Sequence, residues 1–205
     1  MINIRYAQIR ECDISNGENV GVALFIQGCH FHCKNCFNPE TWDFSGGKKW
    51  TGEIENRFIE LANRPYIKRI SILGGEPLAD ENLDGVLHLV NRLCFSFPQK
   101  EIWIYSGYTW ENIFNQKECD RDKVIEELID DMMKNNTQID LLRTRYKRKN
   151  DCYKRTQIVR LCDVLVDGQY MDSQRNISLK WCGSSNQRVI LIKQSLKQGK
   201  VITIE

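Results

Sequence analysis

Short aliphatic runs alternate along the chain with segments whose apolar residues recur at helical spacing. Val20 to Ile26 is an unbroken β-branched and aliphatic run that stops at Gly28, as a buried strand reads. Glu53 to Leu61 places Ile54, Phe58 and Leu61 on one helical face. Arg69 to Leu73 predicts a second strand running into Gly74-Gly75-Glu76-Pro77. Leu83 to Phe95 predicts a second helix carrying Leu83, Leu87, Val90 and Leu93. Glu101 to Tyr105 predicts a third strand, ending at Ser106-Gly107-Tyr108. In Lys123 to Lys134 the pairs Val124/Ile125, Leu128/Ile129 and Met132/Met133 predict a third helix. Asp163 to Val166 reads as a short strand ending at Asp167-Gly168, and Arg188 to Ile192 and Val201 to Ile204 as two more strands. Strands alternating with helices imply an α/β fold with a mostly parallel sheet. In such folds the ligand site lies at the C-terminal ends of the strands.

Composition narrows the setting. The 205 residues suit one domain with a real core. With 29 basic and 27 acidic residues the formal charge is +2, so nothing calls for nucleic acid or an anionic membrane as partner. The longest apolar runs, such as Gly21 to Ile26, are too short to span a bilayer. The start Met-Ile-Asn-Ile-Arg-Tyr lacks a basic stretch followed by a long apolar core, so no signal peptide is expected. The expectation is a cytoplasmic protein, whose nine cysteines are metal ligands or free thiols rather than disulfides.

The candidate chemistry sits directly after the first predicted strand. Cys29, Cys33 and Cys36 are spaced C-x3-C-x2-C. Three close thiolates can hold three irons of a [4Fe–4S] cluster, where an ordinary cluster takes four cysteines; the fourth iron then keeps a site open to a small molecule. Structural zinc remains an alternative, since it wants four ligands and His30 or His32 can supply one. Cys12, Cys94, Cys119, Cys152, Cys162 and Cys182 form no C-x2-C pair and read mostly as small buried hydrophobes.

The cysteine loop, followed by the Gly-Gly-Glu-Pro loop after the next strand, resembles the radical S-adenosylmethionine superfamily. Further blocks narrow the likeness: Gln27-Gly28-Cys29, Cys36-Phe37-Asn38-Pro39-Glu40-Thr41-Trp42-Asp43-Phe44, Leu73 to Leu78, Trp103 to Tyr108, Asp163 to Gly168, and Gly183-Ser184-Ser185-Asn186-Gln187-Arg188. In this order they resemble the activating proteins of anaerobic ribonucleoside-triphosphate reductase, from about Arg10 to Ile192. The resemblance implies that Cys29, Cys33 and Cys36 hold the cluster and that S-adenosylmethionine chelates the fourth iron. It implies cleavage to a 5′-deoxyadenosyl radical that takes a hydrogen atom from a glycine Cα of the partner reductase. The backbone of Gly74 and Gly75, with the Glu76 region, would meet the cofactor's amino group. Asn35 and Phe37 would lie over the cofactor, and Ser106 would hydrogen-bond its carboxylate or ribose. Asp167 would bind ribose or shape a turn. The electron donor would be a flavodoxin or ferredoxin.

The implied fold is an incomplete TIM-type barrel, since eight strand–helix units need about 250 residues. An open side suits a protein substrate. Two departures stand out. The stretch between Phe114 and Asp163 is longer than the connection expected, which makes about 115–160 a helical and basic insert containing Arg143 to Lys149. Cys182 stands where the resembled proteins often carry arginine, a cationic fork that cysteine cannot replace, and Arg188 or Lys180 would have to stand in. Competing expectations are a different glycyl-radical activase, a 7-carboxy-7-deazaguanine synthase, or a zinc or redox module without catalysis.

Overall fold

The computed structural model describes residues 4–114 and 139–204. Strand β1 (Arg5–Asp13) pairs antiparallel with β2 (Gly21–Ile26), and β3 (Lys48–Lys49) pairs antiparallel with β1 on its other side. From β2 the sheet continues in parallel through β4 (Arg69–Gly74), β5 (Glu101–Tyr105) and β6 (Val164–Asp167). It ends in an antiparallel β7 (Arg188–Leu191), giving seven strands in the order β3-β1-β2-β4-β5-β6-β7. The helices among the described residues are α1 (Gly52–Asn63), α2 (Leu83–Ser96), α3 (Trp110–Ile113), α4 (Ile139–Leu161) and α5 (Ile192–Gln198). Thr51 starts α1 by accepting the Ile54 N–H at 3.3 Å, the usual service of an N-cap hydroxyl.

The two-residue period of a strand sorts its side chains onto opposite faces. Val22, Leu24 and Ile26, Ile70 and Ile72, Ile102 and Ile104, and Leu165 join the helix residues Phe58, Leu61, Leu89, Leu93 and Ile158 in one continuous core. The alternate residues form two smaller clusters, one of Ala23, Phe25 and Leu73 and one of Trp103, Val164, Val166 and Val189. Each step from β2 to β4, β5 and β6 moves the same way across the sheet. Right-handed crossovers therefore put the intervening helices on one face and leave the other for something else.

Several elements depart from expectation. β1 was not expected: its sequence RYAQIRECD has no aliphatic run, and it buries mainly Tyr6 and Asp13. Val201 to Ile204 is not a strand; it contributes a single bridge between Thr203 and Ile190. Helices α3 and α5 were also not expected, whereas α4 falls in the stretch expected as a helical and basic insert, and the basic run Arg143 to Lys149 lies inside it. The helix expected over Lys123 to Lys134 and the residue Cys119 fall outside the described residues. The cysteines are more varied than expected: Cys162 is fully buried, Cys94 half-buried, Cys12 exposed, and Cys152 is disulfide-bonded rather than a free thiol. No helix among the described residues is long and apolar enough to cross a membrane.

Candidate metal and cofactor centre

The cysteine loop leaves β2 at Ile26 and folds back on itself. The Gly28 N–H donates to the Thr41 carbonyl at 2.7 Å and the Cys29 N–H to the Trp42 carbonyl at 3.0 Å. The Gln27 side-chain amide donates to the Glu40 and Asp43 carbonyls, at 3.0 and 2.8 Å. The Phe37 to Asp43 block thus closes the loop, with a short 3-10 turn at Pro39–Thr41. His30 and His32 are occupied elsewhere: His30 meets Glu81 at 2.9 Å and lies on Phe44, and His32 stacks on Trp42 at 4.7 Å.

The Gly74–Pro77 loop locks onto this one. The Gly75 N–H donates to the Ile26 carbonyl at 2.8 Å and the Glu76 N–H to the Gly28 carbonyl at 2.7 Å. Gly74 has φ +107°, and a Cβ on Gly75 would come within 2.4 Å of the Gly28 oxygen. Both positions therefore need glycine. Glu76 is fully buried, and burial pushes its carboxyl up to about 7. Its oxygens accept from the Ser106 hydroxyl at 2.8 Å, the Gly107 N–H at 2.7 Å and the Leu78 N–H at 2.8 Å. Glu76 and Ser106, expected to face a cofactor, thus bond to each other and tie the ends of β4 and β5 together.

These loops border a cavity of about 560 Å³ on the face without helices. Its walls include Cys29, Cys33, Cys36, Phe37, Gly74, Gly75, Glu76 and Ser106, so eight of the expected site residues meet in one place. Asn35 does not reach the cavity: with φ +54° it donates instead to the Asp172 carboxylate at 2.9 Å. Phe37 is 58% exposed and packs edge-on against Tyr170, with ring centroids 5.1 Å apart.

The three thiols are free. Burial pushes Cys29 up to about 11, opposed by the Phe31 and His32 N–H groups beside its sulfur. Burial also raises Cys33, opposed by the Gln169 side-chain amide and the Tyr170 N–H. The Asn38 N–H donates to the Cys36 sulfur at 3.4 Å. A pocket of thiols ringed by N–H donors fits an anionic metal–sulfur group. Among the described residues no group of three or more His, Cys, Asp or Glu is placed to hold a single metal ion.

Residues distant in sequence complete the walls. Arg10 from β1 lies over the Phe25 ring at 4.4 Å, and Ser15 and Asn16 from the β1–β2 loop also reach the cavity. Tyr105 joins them with a buried hydroxyl that has no hydrogen-bond partner among the described residues. Its place on the strand face shared with Trp103 was readable from alternation, but it reads as packing. Trp181, at φ +61°, packs on Trp103 at 5.1 Å, and Cys182 follows it into the cavity wall. Asp167 is spent on a turn: it accepts the Trp110 N–H at 2.7 Å and pairs with Arg188 at 2.5 Å. Arg188 also pairs with Glu111 at 2.8 Å, and Lys180 is exposed and outside the cavity wall. Arg10 is therefore the cation that lines the cavity among the described residues.

The open-faced sheet and its cysteine loop define an iron–sulfur protein, and a family profile described as a 4Fe-4S single cluster domain matches residues 15–153 and 123–190. An activating protein of anaerobic ribonucleoside-triphosphate reductase from Vibrio cholerae is 31% identical over 186 residues, covering 90% of this chain and 96% of that one. Proteins of the same name from Escherichia coli K12 and Enterobacteria phage T4 are 32% and 27% identical over 188 residues. They align with 91% of this chain and with 97% and 93% of their own lengths. The chain belongs to the family of anaerobic ribonucleoside-triphosphate reductase-activating proteins.

Proposed function

We propose that this protein activates an anaerobic ribonucleoside-triphosphate reductase by generating a glycyl radical on it. The observation that carries this reading is the meeting of three free thiols and the bare Gly74–Gly75 backbone on one cavity. Cys29, Cys33 and Cys36 would hold a [4Fe–4S] cluster, and S-adenosylmethionine would occupy the adjoining cavity on its fourth iron. The chemistry supplied by that bound pair is reductive cleavage of S-adenosylmethionine to a 5′-deoxyadenosyl radical that takes a glycine Cα hydrogen from the partner.

The chain's own residues bind, orient and shield. Gly74 and Gly75 present peptide groups where a side chain would block approach. Glu76 and Ser106 act through each other, holding two strand ends at a fixed separation beside the cavity that would take the cofactor. Phe37 and Asn35 border the cysteine loop on the side of the Tyr170 segment. Tyr105 and Arg10 supply a hydroxyl and a cation at the open face.

The whole chain is read as one catalytic unit, with an insert at about 115–160, on an incomplete barrel whose open side admits a glycine-bearing segment. The same proposal includes a cytoplasmic setting and a flavodoxin or ferredoxin as electron donor. The test is anaerobic: reduced protein, S-adenosylmethionine and the cognate reductase are mixed and read by electron paramagnetic resonance. A glycyl doublet on the reductase is expected. Cofactor cleavage without that doublet would move the protein to another substrate.

A further inference from the structure

The residues after β6 run alongside the cysteine loop and touch it at three successive places. The Gln169 side-chain nitrogen donates to the Phe31 carbonyl at 3.4 Å. The Tyr170 ring meets Phe37, and Asp172 accepts from Asn35 at 2.9 Å. The segment is itself held in place. The Asn186 amide donates to the Gln169 carbonyl at 2.8 Å, and the Gln187 amide to the Gly168 carbonyl at 2.9 Å. A primary amide carries two N–H donors, so the hydrogen bond to Phe31 leaves one more. Gln169 shares the cavity wall with Cys33, and its amide lies beside that sulfur.

We propose that the Gln169 side-chain amide donates a hydrogen bond to the Cys33 sulfur of the bound cluster and raises the cluster's reduction potential. The inference rests on the reading of Cys29, Cys33 and Cys36 as cluster ligands. Its sign follows from charge. Reduction adds an electron to an already anionic cluster, and an N–H aimed at a ligand sulfur stabilises that extra charge. Gln169 is thus a positioning and tuning residue. It lies in a segment of the sequence more than a hundred residues from the cysteines, outside the recognisable motif.

The protein is reconstituted anaerobically without S-adenosylmethionine, and the cluster's midpoint potential is measured by redox titration followed by electron paramagnetic resonance. Gln169→Leu, which keeps bulk and loses the donor, should bind the same iron as wild type and titrate at a more negative potential. A deuterium-exchangeable proton coupling seen by electron–nuclear double resonance in the wild type should vanish in this variant. Gln169→Lys restores a donor and should bring the potential back to the wild-type value or above. An iron-replete Gln169→Leu with wild-type potential and coupling overturns the proposal. Should that variant bind no iron, wild-type protein labelled with side-chain 15N-glutamine decides: a 15N coupling to the reduced cluster supports the bond, and its absence overturns it. Failure of the underlying reading looks different, because wild-type protein itself would then take up no four-iron cluster.

Discussion

The two faces of the sheet are built on opposite plans. On the helix-covered face, aliphatic side chains of β2, β4, β5 and β6 interlock with α1, α2 and α4 in one continuous apolar cluster. On the other face the apolar residues split into two small clusters, and the rest is polar. Arg69, wholly buried, reaches into the β1–β2 loop and donates to the Asp13, Asn16 and Glu18 carbonyls and to the Asp13 carboxylate. Ser71 adds a bond to Asn16 at 2.6 Å. The covered face is stabilised by area removed from water, which needs no direction. The open face is ordered by directional bonds, which hold the surrounding loops while leaving a cavity between them. That difference explains why the chemistry gathers on one side: a cavity in the covered face would cost stability outright.

The contrast is broken most severely from the covered side. Phe58→Ala removes a fully buried ring from α1 and should cost about 3–5 kcal/mol in denaturant unfolding of the metal-free protein. A loss below about 1 kcal/mol would show that the helix layer is not the main source of stability. On the open face, Asp13→Ala leaves the buried Arg69 guanidinium without its carboxylate, 3.0 Å away, and should cost about 3–5 kcal/mol. The two losses have different characters. Substituting Arg69→Met together with Asp13→Ala should recover part of the second loss, because a buried pair replaced by apolar groups is far less costly than a broken one. No substitution partner of Phe58 offers the same recovery.

The two faces were also unequally legible. β2, β4 and β5 announced themselves because strands covered on both sides read as continuous aliphatic runs. Their expected ends agree with the structure to within a residue. β1 was hidden because it is mixed in character and buries Asp13 in the Arg69 network rather than an aliphatic stripe. Val201 to Ile204 misled for the reverse reason: β-branched residues have strand propensity, but only one bridge forms. In the site, Cys29, Cys33, Cys36, Gly74 and Gly75 were readable because local spacing carries their meaning. Gln169 and Arg10 were not, because they enter the cavity from distant segments outside any motif; Tyr105 reads as packing, and Cys182 was legible only as a departure from arginine. Glu76 and Ser106 were found as residues, but their bond to each other depends on two loops meeting.

Glu76 sharpens the comparison in a way pH can read. Burial raises its carboxyl from 4.5 to about 7. Between those values the folded protein keeps a proton that the unfolded chain has already released. Its contribution is therefore full below pH 4.5 and is lost as pH rises through about 7. Glu76→Gln is neutral throughout, so the stability of wild type relative to the variant should fall across that window in urea titrations of the metal-free protein. The effect should be confined to the window. Parallel profiles for the two proteins would mean that Glu76 does not carry the proton.

The smallest expected effect decides most about the proposed open iron. Cys182 is a fourth thiol in the cavity wall, so the count of cysteines around the cavity does not by itself leave an iron uncovered. Its surroundings separate it from the other three. Cys33 interacts electrostatically with Cys36 and Cys29 with Cys33, whereas Cys182 interacts with Asp167 and Tyr105, near the ends of β6 and β5. Burial pushes its thiol up to about 11, as it does that of Cys29, so it is position and not thiol acidity that sets Cys182 apart. Cys182→Ser should therefore change stability by less than about 1 kcal/mol. It should retain the wild-type iron content and visible spectrum, whereas Cys33→Ala should lose the cluster. Loss of iron in Cys182→Ser would close the fourth coordination site with a protein ligand, and S-adenosylmethionine would have no metal to bind.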